Sequence, residues 1–178
     1  RRLTHSLVPC AALAVLAAGL WFTGLRPWAI IPAALVWGVP QPRRGEISGA
    51  IGRSRTDRKK MAVVSDGRPA LTRYEVKATY QSGAVSLLDC RLATGRTHQI
   101  RVHLASRGHP LLGDPVYGRA RRKRALTPAA AAAVTAFDRQ ALDAYRLGFI
   151  HPRSRAPLSF QKNLPLDIAR LIATLEDI

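Results

Sequence analysis

The stretch "TGRTHQIRVH", residues 94–103, sets two arginines, two histidines and a glutamine within ten positions. Such groups suit metal ligation, acid–base or nucleophilic catalysis, or the binding of an anion. His98 and His103 stand five apart, whereas two imidazoles share a helix face for zinc at a spacing of four; no metal site is expected. No serine or cysteine sits in a nucleophile elbow, and neither a glycine-rich phosphate loop nor a dinucleotide fingerprint occurs. Any chemistry is therefore expected to run without a cofactor. Anion binding is favoured over a cofactor-free catalytic role, which stays open. Gly95 bends the chain, Thr97 is the predicted N-cap of a short helix, and the apolar positions Ile100, Val102 and Leu104 end at Gly108, a predicted C-terminal glycine. Arg96, His98 and Arg101 at that helix N-terminus would combine positive side chains with free backbone N–H groups, which suits a phosphate or a partner carboxylate.

Charge points the same way. With 28 Lys+Arg against 11 Asp+Glu, the 178 residues carry a formal charge of +17. So lopsided a balance implies a polyanionic partner, most simply RNA or DNA, with an anionic membrane as the competitor. A second basic cluster, Arg43, Arg44, Arg53, Arg55, Arg58, Lys59 and Lys60, lies among glycines and serines and is expected to form a solvated ribbon or loop closed by a strand at 61–64. Cys10 and Cys90 are far apart with no CxxC spacing, so no disulfide framework is indicated.

The elements that must position these groups can be read from periodicity. "ALVWGVP" reads as a short strand. Residues 70–93 alternate as two strands around the turn "QSG". "GHPLLGDPVYG" is loop, and "RARRKR" is a basic run followed by the alanine-rich "TPAAAAAVTAF", a predicted helix with Pro128 in its first turn. "QALDAYRLGFIHP" and "APLSFQKN" form a second strand pair. Ile168, Leu171, Ile172 and Leu175 fall at helical spacing near the C-terminus. This is the pattern of one soluble α+β domain. The first forty residues differ: they lack Asp, Glu and Lys, hold all three tryptophans, and run uncharged over residues 6–25. A transmembrane or signal segment would have that composition, although Pro9, Gly19 and Gly24 weaken it. A membrane-anchored basic protein is thus a competing reading, the weaker one.

Residues 92–118, "LATGRTHQIRVHLASRGHPLLGDPVYG", resemble the C-terminal motif of the RluA/RluD-type RNA pseudouridine synthases, and the similarity extends over "ALVWGVP", "DRKKMAVVSDGRPALTRYEV" and "RQALDAYRLGFIHPRSRAPLSF". The resemblance implies a mixed, mainly antiparallel sheet with flanking helices. It also implies isomerisation of uridine to pseudouridine in ribosomal or transfer RNA, in the cytoplasm, with no metal or cofactor. The base leaves its stack, detaches from the sugar, rotates and rebonds through carbon. Family members use an aspartate in an "HRLD" motif, a stacking tyrosine and an arginine that pairs with the aspartate.

The arginine maps to Arg101. Arg96, His98, Arg53, Arg55, Arg58, Lys59 and Lys60 are the expected RNA contacts. The tyrosine position holds Pro32, and the aspartate would fall at Thr4 or nowhere. Residues 34–178 are therefore expected to be part of a synthase catalytic domain, inactive as it stands. Residues 1–33 are expected to lie outside the family's sequence, as in a truncated or frame-disrupted chain; the alternative is an RNA-binding paralogue that has lost catalysis. Asp114 and Tyr117 are read as cleft structure. Nothing in the sequence sets Asp114 opposite Arg101, so Arg101 is expected to lack its carboxylate.

Overall fold

A computed structural model of the protein describes residues 29–118 and 126–176. Eight strands lie among these residues: β1 (Ala29–Trp37), β2 (Arg44–Ser48), β3 (Ile51–Arg53), β4 (Met61–Val63), β5 (Leu71–Tyr80), β6 (Val85–Leu92), β7 (Leu142–Ile150) and β8 (Pro157–Gln161). Among the described residues three α-helices accompany them: α1 (Gln99–Ser106), α2 (Pro128–Ala136) and α3 (Leu166–Glu176). Six strands form one sheet in the order β2-β5-β6-β1-β7-β8, and each of its pairings is antiparallel; β3 and β4 make a separate two-stranded ribbon.

Alternation along the strands sorts side chains to two faces. On one face Ala34, Val36, Ile47, Tyr74, Val76, Leu88 and Cys90 meet Ile100 and Leu104 of α1. On the other, Leu35, Val85 and Leu87 meet Ala130 and Val134 of α2 and Ile168, Leu171 and Leu175 of α3. One sheet thus has both faces covered, and α1 is the helix that carries the motif.

The predicted hairpin over 70–93 forms as β5 and β6. The predicted C-terminal helix is α3, with Ile168, Leu171 and Leu175 buried. Pro128 opens α2, where the Thr127 hydroxyl caps the Ala130 N–H at 3.3 Å. The basic stretch expected as a ribbon or loop is more ordered than that, since it supplies β2, an edge of the main sheet, as well as β3. Its burial rests on few residues: Ile47 is the one buried position of β2, and Ile51 that of β3. Glycine and arginine around them hide the alternation. Pro32 sits inside β1 at a register shift in the pairing with β7, between Ile31 and Pro32. A central strand tolerates proline at such a bulge because the ladder there needs no N–H.

Candidate active site and RNA-facing surface

Arg101 leaves α1 and meets a carboxylate within the same chain. Its Nε donates to Asp114 Oδ2 and its Nη2 to Asp114 Oδ1, both at 2.8 Å. The side chains are 10% and 0% exposed. Asp114 Oδ1 also accepts from the Val116 and Tyr117 N–H groups at 2.9 and 3.0 Å. Burial alone would raise the Asp114 carboxyl, but the Arg101 hydrogen bonds and those two N–H groups outweigh it and hold it below its ordinary value. The same pairing raises the Arg101 guanidinium. The structure thus sets Asp114 opposite Arg101, a pairing that no feature of the sequence indicated, and this carboxylate is distinct from the family's aspartate. Gly113 makes the turn possible: its φ is +65°, and a Cβ there would collide with the Arg139 carbonyl oxygen.

Tyr117 completes the site. The Arg101 guanidinium carbon lies 4.9 Å from the centre of its ring, a cation–π distance. Its hydroxyl accepts from the Met61 N–H at 2.9 Å and lies 3.0 Å from His98 Nδ1. One phenol thus joins the β3–β4 ribbon, the start of α1 and the Arg101 side chain. Below it, Ile51, Ala70 and Val102 pack with Met61 and Tyr117. His98 is the N-cap residue, at φ 55° and ψ 21°. A left-handed backbone at a residue with a Cβ costs roughly 1 kcal/mol, and histidine is among the side chains that tolerate it best. Thr97, the predicted cap, is one residue too early, and no side chain caps this helix. Gly108 does follow the helix with φ +84°.

Helical period splits the motif into an inward and an outward half. Gln99 and His103 are 3% and 0% exposed. Gln99 Nε2 donates to the Leu71 carbonyl and to Thr72 Oγ1, both at 3.0 Å. Its Oε1 accepts from Thr94 Oγ1 at 2.7 Å and from the Arg96 N–H at 3.0 Å. His103 Nε2 lies 3.1 Å from the Gly49 carbonyl, which can only accept; the proton is on Nε2, and Nδ1 accepts from Thr72 Oγ1 at 2.9 Å. Burial keeps this imidazole neutral and lowers its pKa against the raising effect of the Gly49 bond.

The family model described as RNA pseudouridylate synthase matches residues 28–106. Ribosomal large subunit pseudouridine synthase D of Zymomonas mobilis is 46% identical over 145 residues, which cover 80% of this chain and 43% of that protein. The chain belongs to the RNA pseudouridylate synthase family. An uncharacterized RNA pseudouridine synthase of Chloroflexus aurantiacus is also 46% identical, over 81% of this synthase-family chain and 41% of its own length. The solved structure of human RNA pseudouridylate synthase domain containing 1 superposes with a TM-score of 0.67 at 29% identity, covering 92% of this chain and 65% of that one. The chain spans about two fifths of the curated relatives it matches, 43% and 41% of their lengths.

The sequence-predicted residues lie at the start of α1 and along the β3–β4 ribbon. Arg96 lies beside the ribbon's return path, its Nε donating to the Pro69 carbonyl at 3.2 Å. His98 and Arg101 flank Tyr117. Arg53, Arg55, Arg58 and Lys59 are exposed on the β3–β4 ribbon, and Lys60 is half-buried. Arg55 pairs with Asp66 at 3.4 Å and Lys60 with Asp57 at 3.5 Å; Arg53 Nη1 donates to the Arg58 carbonyl. The expected cluster of three cations at the helix start is not what forms, because Asp114 compensates Arg101. Asp114 and Tyr117 were read as cleft structure, and what sequence reasoning missed is their contact with Arg101 and His98. The available signal was an aspartate followed by two backbone N–H groups in "GDPVYG", the grammar of a side-chain-capped turn. Thr4, residues 6–25 and the "RARRKR" run fall outside the described residues. Among the described residues no helix is long and apolar enough to cross a membrane.

Proposed function

We propose that this chain carries the arginine and RNA-holding portion of a synthase that isomerises uridine to pseudouridine in ribosomal or transfer RNA, in the cytoplasm. The observation that supports it most directly is the Tyr117 junction, which sets the basic ribbon, His98 and the oriented Arg101 side by side. Asp114 takes the Nε–H and one Nη2–H of Arg101, so the Nη1 donors and the second Nη2–H are left for a substrate group or a second carboxylate. The reaction is redox-neutral and moves one bond from nitrogen to carbon, so it requires neither an oxidant nor a reductant.

A nucleophilic or charge-stabilising carboxylate is still needed. Asp114 is a poor source of one. Its two oxygens already accept from Arg101, Val116 and Tyr117, and the carboxylate is buried. On this reading the 178-residue chain alone binds RNA but forms no pseudouridine. A catalytically silent RNA-binding paralogue is the second reading. It is favoured by Pro32, which stands on β1 where the resemblance puts the stacking tyrosine.

Both readings are tested by incubating the chain with ribosomal and transfer RNA, measuring binding by fluorescence anisotropy and product by carbodiimide labelling with primer extension. Salt-sensitive binding without product is the expected result. Pseudouridine formed by this chain alone refutes the inactivity, and absence of RNA binding at low salt refutes both readings.

A further inference from the structure

The charge of the motif, read from sequence, suggests a phosphate clamp; the hydrogen bonds at His98 suggest something else. The Tyr117 hydroxyl accepts from the Met61 N–H, and its own proton is left to go to His98 Nδ1, 3.0 Å away. With Nδ1 acting as an acceptor, the imidazole proton resides on Nε2. The ring stands edge-on to Tyr117, with centroids 5.7 Å apart at 76°, and the left-handed backbone of His98 holds it there. Burial lowers the pKa of this ring, the nearby Arg101 guanidinium lowers it further, and the Asp114 carboxylate opposes them without prevailing. His98 is nevertheless exposed, and Nε2 meets no acceptor among the described residues.

We infer that His98 is an uncharged hydrogen-bond donor that reads RNA through Nε2, recognising a neutral acceptor beside Arg101, a base carbonyl or a ribose 2′-oxygen, and not a phosphate. Tyr117 acts as its positioning residue by fixing the tautomer. The inference rests on the RNA reading above and adds a division of labour: Arg96 and the ribbon arginines contribute salt-dependent affinity, and His98 contributes selectivity.

The test measures binding of a short uridine-containing RNA hairpin by the whole chain as salt is varied. His98→Ala is expected to lower affinity about fivefold while leaving the slope of log K against log salt unchanged. Arg96→Ala should flatten that slope by about 0.7–0.9, the share of one phosphate contact. His98→Gln, which keeps a neutral donor, should restore most of the lost affinity. A 2′-deoxy version of the same hairpin separates the two acceptors: the His98→Ala defect disappears if the ribose is read and persists if the base is.

Without RNA, a histidine ¹H–¹⁵N spectrum at pH 7 should show His98 protonated on Nε2 alone. A charged or Nδ1-protonated ring overturns the inference, as does a His98→Ala slope change matching that of Arg96→Ala or a His98→Ala affinity equal to wild type. Failure of the wild-type chain to bind RNA would instead remove the functional reading on which the inference stands.

Discussion

Replacing Asp114 by asparagine is the sharpest single probe of the Arg101 site. The change is nearly isosteric, and the asparagine oxygen can still accept from the Val116 and Tyr117 N–H groups that Oδ1 now serves. Lost is the charge-assisted bond from Arg101 Nε to Oδ2, where an amide donor now faces a guanidinium donor, while the Nη2 bond to Oδ1 keeps only a neutral acceptor. Arg101, 10% exposed in its side chain, is left with a charge that water barely reaches. Removing one partner of a buried pair costs about 3–5 kcal/mol; because the turn keeps its two backbone bonds, the lower end, about 3 kcal/mol, is expected. With a urea m-value of about 2 kcal/mol/M, the unfolding midpoint should fall by about 1.5 M. Circular dichroism at pH 7 measures this for Asp114→Asn, Arg101→Met and the double variant. The double variant should be more stable than Asp114→Asn alone, because it contains no orphaned charge. Additive effects, or a loss below about 1 kcal/mol for Asp114→Asn, would refute the claim that the pair is desolvated and mutually dependent.

Three further outcomes follow from the same geometry. Gly113→Ala, at φ +65° and against the Arg139 carbonyl, should destabilise by at least about 2 kcal/mol, read as a lowered thermal midpoint; an unchanged midpoint would contradict the turn. Because the folded Asp114 carboxyl lies below its unfolded value, its contribution is complete above about pH 4 and is lost as pH falls through the folded pKa. His103, lowered by burial, adds a loss that begins as pH drops below about 6.5. His103→Gln should flatten stability between pH 7 and pH 5, and a variant that tracks wild type there would count against the neutral buried ring. Tyr117→Phe removes the acceptor for the Met61 N–H at a cost of about 1 kcal/mol. Amide hydrogen exchange should quicken at Met61 and stay unchanged at Leu88 in the central sheet; equal protection in both proteins would mean the phenol does not anchor the ribbon.

Where apolar residues are dense and regular, the fold was legible. Val76, Leu88 and Cys90 alternate plainly, "QSG" marks the turn, and Ile168, Leu171 and Leu175 repeat at helical spacing, so β5, β6 and α3 were read from pattern alone. β2 and β3 were not, because one buried isoleucine each, Ile47 and Ile51, carries no period. At the site, Arg101 and His98 were found through the motif, and their partners were not. The Arg101–Asp114 pair bridges 13 positions and the Met61–Tyr117 bond 56. Contacts of that span arise from the folding of the loop over α1, and composition or spacing does not record them. Grouping the motif's basic residues also misled locally. It set His98 beside two cations as a third, where burial, the Arg101 guanidinium and the Tyr117 hydroxyl favour a neutral ring.

The inward half of the motif has a consequence for classifying proteins of this kind. Thr94, Gln99, Thr72, His103 and Gly49 form a wired interior in which both amide donors and the amide oxygen of Gln99 are engaged. Glutamate at position 99 would lack the donors, and lysine would lack the acceptor. A chain that had abandoned turnover would still be under pressure to keep "THQIRVH" simply to remain folded. The motif therefore certifies architecture. Activity has to be diagnosed elsewhere, at the positions where the resemblance puts the family's aspartate and tyrosine.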